Sequence, residues 1–337
     1  MTAARQAGVL LMTYGSPPSL ERDDVRTYLA RVRGGREPDT ELVEEFTRRY
    51  RAIGGSPLIE ITRRQATALA AHLRWPVEVG MRFSEPSIES GVLELMRSGV
   101  TDVAAIILSP QYSPLLMAGY GRALAAAGDA IANGAPNVVV AGAWHREPAF
   151  IRSIRERVGR ALAEAPAGQR TATHVLMTGH SLPRRVADEE PEYLAQLRET
   201  AEAVAEEAGL ASHEWTFCWQ SAGHEPGEWM KPDFADLMPQ IAGAGGRSVL
   251  VVPVQFLADH LETLYDVDIG AREQAEAAGL SFARIPSLND DSGLIQALRA
   301  VAERTVGSPS RLRMPAAYVA RQSQARGQAA KRSRCSH

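Results

Sequence analysis

Ser248-Val-Leu-Val-Val-Pro-Val-Gln-Phe-Leu-Ala-Asp-His-Leu-Glu-Thr-Leu-Tyr-Asp266 carries an apolar run directly into a polar one. Ser248 to Val254 does not alternate with polar residues, so it reads as a strand buried on both faces. Asp259, His260, Glu262, Asp266 and Asp268 then arrive together. If a helix begins near Asp259, Glu262 and Asp266 stand four apart on one face. Carboxylates leading away from a strand end are costly unless they meet water, a cation or a proton. The ridge is therefore a solvated helix face or a path into a site, and the rest of the chain has to decide.

The same rhythm repeats outward. Gly8 to Tyr14, Val77 to Met81, Val103 to Leu108 and Asn137 to Ala141 are strand candidates in the first half. His174 to Thr178, Glu214 to Gln220, Ser248 to Val254 and Phe282 to Ile285 are candidates in the second. Helical stretches separate them, including Thr40 to Arg51, Ser87 to Arg97, Pro191 to Glu207 and Leu261 to Ala278. Apolar strands alternating with helices predict parallel sheets covered by crossover helices. The fold class is α/β: two Rossmann-like, doubly wound domains with parallel four-stranded sheets and a cleft between them. We place the domains at 1–150 and 151–307, with a basic tail at 308–337. Ligands of such sheets sit outside the carboxyl ends of the strands, so the informative loops follow Tyr14, Ser109, His180, Ser221 and Ala258.

Composition excludes several classes. The chain has 337 residues, 45% hydrophobic and 23% charged, with a formal net charge of -3. That is an ordinary water-soluble composition, and nothing global points to nucleic acid. Arg311, Arg313, Arg321, Arg326, Lys331, Arg332 and Arg334 lie in the tail without an acid, and few large apolar residues accompany them, so we expect a solvated, disordered extension. Two cysteines, Cys218 and Cys335, exclude a disulfide framework and a four-cysteine metal site within one chain. No apolar run approaches the roughly 20 residues of a membrane span, and Met1 to Gly8 has no apolar signal core. A cytoplasmic location follows as the expectation.

His180 stands directly after Gly179 at a strand end, where a lone histidine is ordinarily a structural hydrogen-bonder. The acidic ridge after Ala258 gives it a potential partner. The first half supplies Tyr14 and Arg31, Arg33, Arg36, Arg48, Arg49 and Arg51. These arginines are a solvated helix surface or a receptor for carboxylates or phosphates. Gly34-Gly35 and Gly54-Gly55 lack the spacing of a dinucleotide or phosphate loop.

Four segments bring these residues together: Leu11-Met-Thr-Tyr-Gly-Ser-Pro17, Arg49-Tyr-Arg-Ala-Ile-Gly-Gly-Ser-Pro-Leu58, Gly179-His-Ser-Leu-Pro183 and Phe256-Leu-Ala-Asp-His-Leu-Glu-Thr-Leu-Tyr-Asp266. With Ser109-Pro-Gln-Tyr-Ser113 and Trp219-Gln-Ser-Ala-Gly223, they resemble the ferrochelatase family from about Gly8 to Val306. The resemblance implies insertion of ferrous iron into a porphyrin. It places His180 and Glu262 at the iron entry position as the catalytic and metal-binding pair, with Asp266 on the proton and iron path. Whether His180 acts as base or as ligand stays open. Tyr14 resembles the coproporphyrin III type, where it is the axial ligand to product iron; Met is common at that position in the protoporphyrin IX type.

By the same resemblance, Tyr14, Arg33, Arg49, Tyr50, Ser56 and Tyr120 surround the macrocycle and its propionates. Fe²⁺ and coproporphyrin III are then substrates, no cofactor is required, and no iron–sulfur cluster is expected. The next haem-pathway enzyme is the implied partner, and the implied state is a monomer without nucleic acid or stable membrane insertion. Where relatives extend the acidic ridge one turn beyond Asp266, this chain has Gly270. A protoporphyrin IX ferrochelatase is the alternative. A non-catalytic tetrapyrrole-binding protein is a third reading, opposed by the presence of both His180 and Glu262. A nucleotide-sugar transferase is a fourth, opposed by the missing diphosphate loop.

Overall fold

The computed structural model describes residues 6–131, 134–165, 170–223 and 227–307. The basic tail and Cys335 lie outside them. The first half runs β1 (Ala7–Thr13), α1 (Arg22–Val32), α2 (Thr40–Ala52), α3 (Leu58–Leu73), β2 (Val77–Met81), α4 (Ile88–Arg97), β3 (Asp102–Ile107), α5 (Pro114–Ile131), β4 (Asn137–Val140) and α6 (Pro148–Glu164). The second runs β5 (Thr173–His180), α7 (Arg184–Glu189), α8 (Pro191–Glu207), β6 (Trp215–Gln220), α9 (Phe234–Gly243), β7 (Ser248–Pro253), a π-helix (Glu262–Ala271), α10 (Arg272–Ala277), β8 (Ser281–Arg284) and α11 (Ser292–Gly307).

Two four-stranded sheets form, in the orders β2-β1-β3-β4 and β6-β5-β7-β8. Every pairing within them is parallel. The α/β reading of the strand runs therefore holds. β7 explains why such runs are legible: Val249, Leu250, Val251 and Val252 are all at most 2% exposed. Each buried side chain of this kind contributes about 1.5–3 kcal/mol, so a polar residue on either face would be costly.

In each sheet the chain steps from the first strand to one side and then crosses back to the other. The reversals fall between β1 and β3 and between β5 and β7. Open crevices form at the carboxyl ends of such strand pairs. Side chains tie the halves together. Gln111, beyond β3, donates to Thr200 Oγ1 at 2.9 Å and to the Val254 carbonyl at 3.3 Å. Gln65 on α3 donates to the Asn289 carbonyl at 2.7 Å. α11 returns to pack on α3, α6 and β3.

Two elements differ from expectation. α5 starts at Pro114 rather than Tyr120, because the Ser113 hydroxyl accepts the Leu116 N–H at 3.0 Å and caps an earlier turn. The stretch expected as one helix from Leu261 begins as a π-helix. Its i→i+5 bonds widen each turn, so the simple α-helical spacing of Glu262 and Asp266 does not apply.

Candidate functional site

β1 ends at Thr13 and delivers Tyr14 to the first crevice. Gly15 follows with φ of +92°, and a Cβ there would lie 2.0 Å from Ser84 Oγ, so only glycine fits. Tyr28 donates to the Gly15 carbonyl at 3.1 Å and fixes this turn from α1. Tyr14 itself is 47% exposed. Its ring lies 5.1 Å from Phe83 and 6.4 Å from Tyr120. Partial desolvation by the surrounding wall raises the phenol pKa, Arg82 opposes that rise, and Glu262 adds to it.

β5 delivers His180 to the second crevice as its last residue. Its backbone N–H donates to Gln255 Oε1 at 2.7 Å, and Gln255 Nε2 donates to the Tyr193 hydroxyl at 2.9 Å. The ring Nδ1 lies 2.5 Å from the Ser181 carbonyl. A carbonyl only accepts, so Nδ1 carries the proton, and Nε2 of the neutral ring carries the lone pair. That Nε2 lies 3.6 Å from Glu262 Oε1.

His260 repeats the arrangement from the other side. Its Nδ1 donates to the Ala258 carbonyl at 2.9 Å, and its Nε2 lies 3.5 Å from Glu262 Oε2. The Phe256 ring stands near both imidazoles, 6.5 Å from His180 and 4.8 Å from His260 between centroids. Glu262 thus faces two imidazole nitrogens that are acceptors in the neutral rings. Lone pairs facing a carboxylate repel unless a proton or cation sits between them.

Titration follows from that arrangement. Burial raises the Glu262 pKa, but once a proton occupies each facing Nε2 the His180 charge and the His260 hydrogen bond outweigh it and bring the carboxyl down to about 2. Burial lowers the His260 pKa, and the Glu262 hydrogen bond and charge outweigh it, for a net rise. Asp266 moves the other way. Its burial raises the pKa and Glu262 adds to this, against opposing effects of Ser221 and Arg49. Ser221 follows β6 with φ of 57°, a left-handed conformation that is uncommon outside glycine. In that conformation its hydroxyl meets the Asp266 carboxyl.

The π-helix turns its acids to different tasks. Glu262 and Asp266 serve the cleft, whereas Asp268 accepts two bonds from Arg284, at 2.7 and 2.8 Å. Arg284 also donates to Asp259 at 3.2 Å, and Asp259 accepts from Ser287 at 2.7 Å and Asn289 at 2.9 Å. One largely buried guanidinium therefore clamps the loop before Glu262 to the helix after it.

The other residues singled out in the sequence fall in several places. Arg49 on α2 reaches Asp266 at 3.6 Å, Glu45 at 2.7 Å and the face of Tyr265, so its charge is already matched by acids. Tyr50 is 5% exposed and packs with Val25, Leu29, Val43 and Leu261. Burial, then Glu262, raises its pKa. Tyr120 is buried beside Tyr14. Ser56 stands before α3 and accepts the Leu58 N–H at 3.4 Å. Arg33 caps the C-terminus of α1, with its Nε buried and unpaired. Gly270 sits on the π-helix, and a Cβ there meets nothing closer than 3.8 Å.

Sequence reasoning named His260 in the polar run after Ala258 but gave it no role, and it gave none to Arg82. The one signal for His260 was its place in Asp-His-Leu-Glu, two residues from Glu262. Nothing in the sequence marked Arg82 beyond its position after β2.

Two reversed-order parallel sheets, with a tyrosine at one crevice and a histidine–glutamate pair at the other, define a chelatase-type α/β protein. The solved sirohydrochlorin chelatase of Bacillus subtilis subspecies spizizenii shares this fold. It superposes with a TM-score of 0.56 at 12% identity, over 91% of this chain and 98% of that one. A sequence profile of the family described as Ferrochelatase matches residues 6–306. The chain is 37% identical over 310 residues to a ferrochelatase of Deinococcus radiodurans, covering 90% of this chain and 97% of that protein. It is 33% identical to the coproporphyrin III ferrochelatase of Bacillus subtilis, over 90% of this chain and 99% of that protein. The chain belongs to the ferrochelatase family, whose members insert iron into a porphyrin. Among the described residues, no helix is long and apolar enough to cross a membrane.

Proposed function

We propose that this chain inserts ferrous iron into coproporphyrin III to give its iron complex, with release of two pyrrole protons. The observation that carries the reading is Glu262, bracketed by His180 Nε2 at 3.6 Å and His260 Nε2 at 3.5 Å. These gaps suit a proton or a metal ion in transit. An imidazole and a carboxylate on an arriving Fe²⁺ make a partial coordination shell, not a closed cage. Weak holding is what a donor site needs, because the porphyrin nitrogens must take the metal.

As iron enters, the two pyrrole N–H bonds break and their protons pass to the protein. The His180 Nε2 lone pair and the Glu262 carboxylate are the bases nearest the incoming metal. Asp266, with its raised pKa and its hydrogen bond to Ser221, is suited to take a proton onward to water. Tyr14 meets the iron from the opposite crevice as its axial ligand. Arg33, Arg49, Tyr50, Ser56 and Tyr120 complete the proposed surround of the macrocycle. Tyr14 and the relatives named for coproporphyrin III support that substrate over protoporphyrin IX.

Anaerobic Fe²⁺ insertion, followed by porphyrin absorbance, tests the reading with the two porphyrins side by side. Coproporphyrin III is expected to give the higher kcat/KM, and equal or better turnover of protoporphyrin IX would refute the substrate assignment. His180→Ala is expected to abolish insertion while porphyrin still binds. Retained turnover would remove His180 from the mechanism.

A further inference from the structure

An open cavity of about 520 Å³ lies beside Tyr14, lined by Arg26, Arg31, Gly35, Glu37, Arg82 and Phe83 among others. Its floor is tied to the Tyr14 turn. The Arg82 N–H donates to the Thr13 carbonyl at 2.9 Å, and the Phe83 N–H to the Tyr14 carbonyl at 3.0 Å. Two residues of the cavity lining, Arg82 and Phe83, are thus bonded directly to the end of β1 and the Tyr14 turn.

Arg82 is its most unusual member. The guanidinium carbon lies 4.6 Å from the Phe83 ring centroid, 5.4 Å from Tyr120 and 5.6 Å from Tyr14. Three rings fix its position through their negative faces. The fit depends on α5, where a Cβ on Gly119 would lie 2.0 Å from Arg82 Nη2. Yet among the described residues Arg82 has no carboxylate within 4 Å and no side-chain hydrogen-bond acceptor. Rings do not accept in-plane N–H groups as a carboxylate does, so a half-buried fork of donors remains unmatched.

Its neighbours are similarly free. Arg31 makes only a long 3.4 Å bond to the Phe83 carbonyl, and Arg26 approaches Asp23 at 4.0 Å. Arg48 and Arg49, by contrast, are paired with Glu45 at 2.9 and 2.7 Å. Glu37 is the one acid in the lining. The arginines of this cavity are therefore more available for an anionic substituent than Arg48 and Arg49 of α2.

We propose that Arg82, with Arg31 beside it, is a specificity-determining receptor for a carboxylate on the edge of the tetrapyrrole. It takes a carboxyalkyl arm that coproporphyrin III has and protoporphyrin IX replaces with an apolar vinyl group. The inference rests on the porphyrin-chelatase reading. It assigns the preference between substrates to a cavity on the Tyr14 side. Arg82 holds the arm through its free N–H edge, while its faces stay on the three rings.

The test is equilibrium binding, read by fluorescence quenching with coproporphyrin III and protoporphyrin IX separately. It compares wild type, Arg82→Met, Arg31→Gln and Gly119→Ala. Loss of one charge-assisted hydrogen-bonded contact predicts roughly tenfold to hundredfold weaker coproporphyrin III binding in Arg82→Met. Protoporphyrin IX binding should change by less than about threefold on the same argument, because no arm is lost. Arg31→Gln should show a smaller effect of the same sign. Gly119→Ala leaves every charge in place and favours the helix, but displaces the guanidinium, so it should reproduce the selective loss. Thermal melting of each variant checks folding.

Equal weakening for both porphyrins, or no weakening, would overturn the subsite. So would a Gly119→Ala protein that folds and keeps wild-type selectivity. Wild-type protein that binds neither porphyrin would instead remove the parent reading, so the two failures are distinguishable.

Discussion

Replacing Glu262 by Gln should lower stability as well as activity, against the usual tendency of active-site substitutions to stabilise. The carboxyl pKa falls from 4.5 to about 2 in the folded chain, and a shift of that size corresponds to about 3 kcal/mol favouring the ionised form. The side chain is about one-third exposed, 33%, so solvent screening reduces the contribution to about 1–2 kcal/mol. The sign follows from the direction of the shift. A depressed carboxyl pKa stabilises the fold fully above the unfolded value of 4.5, and this stabilisation is lost as pH falls through about 2. Gln keeps the shape and an acceptor for His260 but has no charge at any pH. Urea denaturation at pH 7, 5 and 3.5, read by tryptophan fluorescence, should show the wild type ahead by about 1–2 kcal/mol at the two higher values. The gap should begin to narrow at the lowest. Iron insertion by the same variant should fall by about 10²–10⁴-fold. A Gln variant as stable as wild type at pH 7, or a gap that does not change with pH, would show that the two imidazoles do not hold this carboxylate as described.

Arg284→Leu leaves Asp259 and Asp268 without their shared cation, and because the arginine side chain is only 10% exposed, the loss should be about 3–5 kcal/mol in urea denaturation; a loss under about 1 kcal/mol would reduce the clamp to a surface pair. Asp266→Asn should stabilise the fold at neutral pH, because burial raises this carboxyl's pKa and so penalises its charged form. That advantage should disappear as pH falls below the ordinary aspartate pKa of about 4, where both states are protonated; melting curves at pH 7 and pH 4 read it directly, and an Asn variant less stable at pH 7 contradicts the assigned sign.

The strands were legible because burial on both faces leaves an uninterrupted apolar run, as in Ser248 to Pro253. Loop chemistry was legible wherever a motif put an unusual polar residue directly after such a run. Tyr14 and His180 both stand there, and the two sheets bring each to a strand-order reversal. The π-helix was not legible. A hydrophobic pattern reports which residues are buried, and over Leu261 to Ala271 a widened turn buries nearly the set an α-helix would. His260 escaped because residues two apart point away from each other in a helix or to one face of a strand, and this segment is neither. The His260 N–H is held by the Thr263 hydroxyl at 2.9 Å, in a turn that swings the imidazole back to Glu262. Arg82 escaped because two of its three ring partners come from distant segments, Tyr14 after β1 and Tyr120 on α5, and only Phe83 is its neighbour in the chain.

The charge layout of the cleft has a consequence for how a tetrapyrrole is oriented. Acids gather on the wall built by β5, β7 and the π-helix, where Glu262 and Asp266 stand. Unmatched arginines gather beside the opposite crevice, at Arg31 and Arg82. A porphyrin carries its protons and metal at the centre and its carboxylates at the rim. Acids facing the centre favour an arriving cation and leaving protons; the same acids facing the rim would repel the carboxylates. The arginines have the reverse preference, since a guanidinium facing the centre would repel Fe²⁺. Separation of the two sets by the rings of Tyr14, Phe83 and Tyr120 therefore lets each act without neutralising the other. Arg49 with Asp266 is a crossing between the halves, and at 3.6 Å it is a looser ion pair than the 2.7 Å contact of Arg49 with Glu45. Asp266 consequently keeps a raised pKa despite a nearby cation, so it accepts a proton more readily than an ordinary aspartate does.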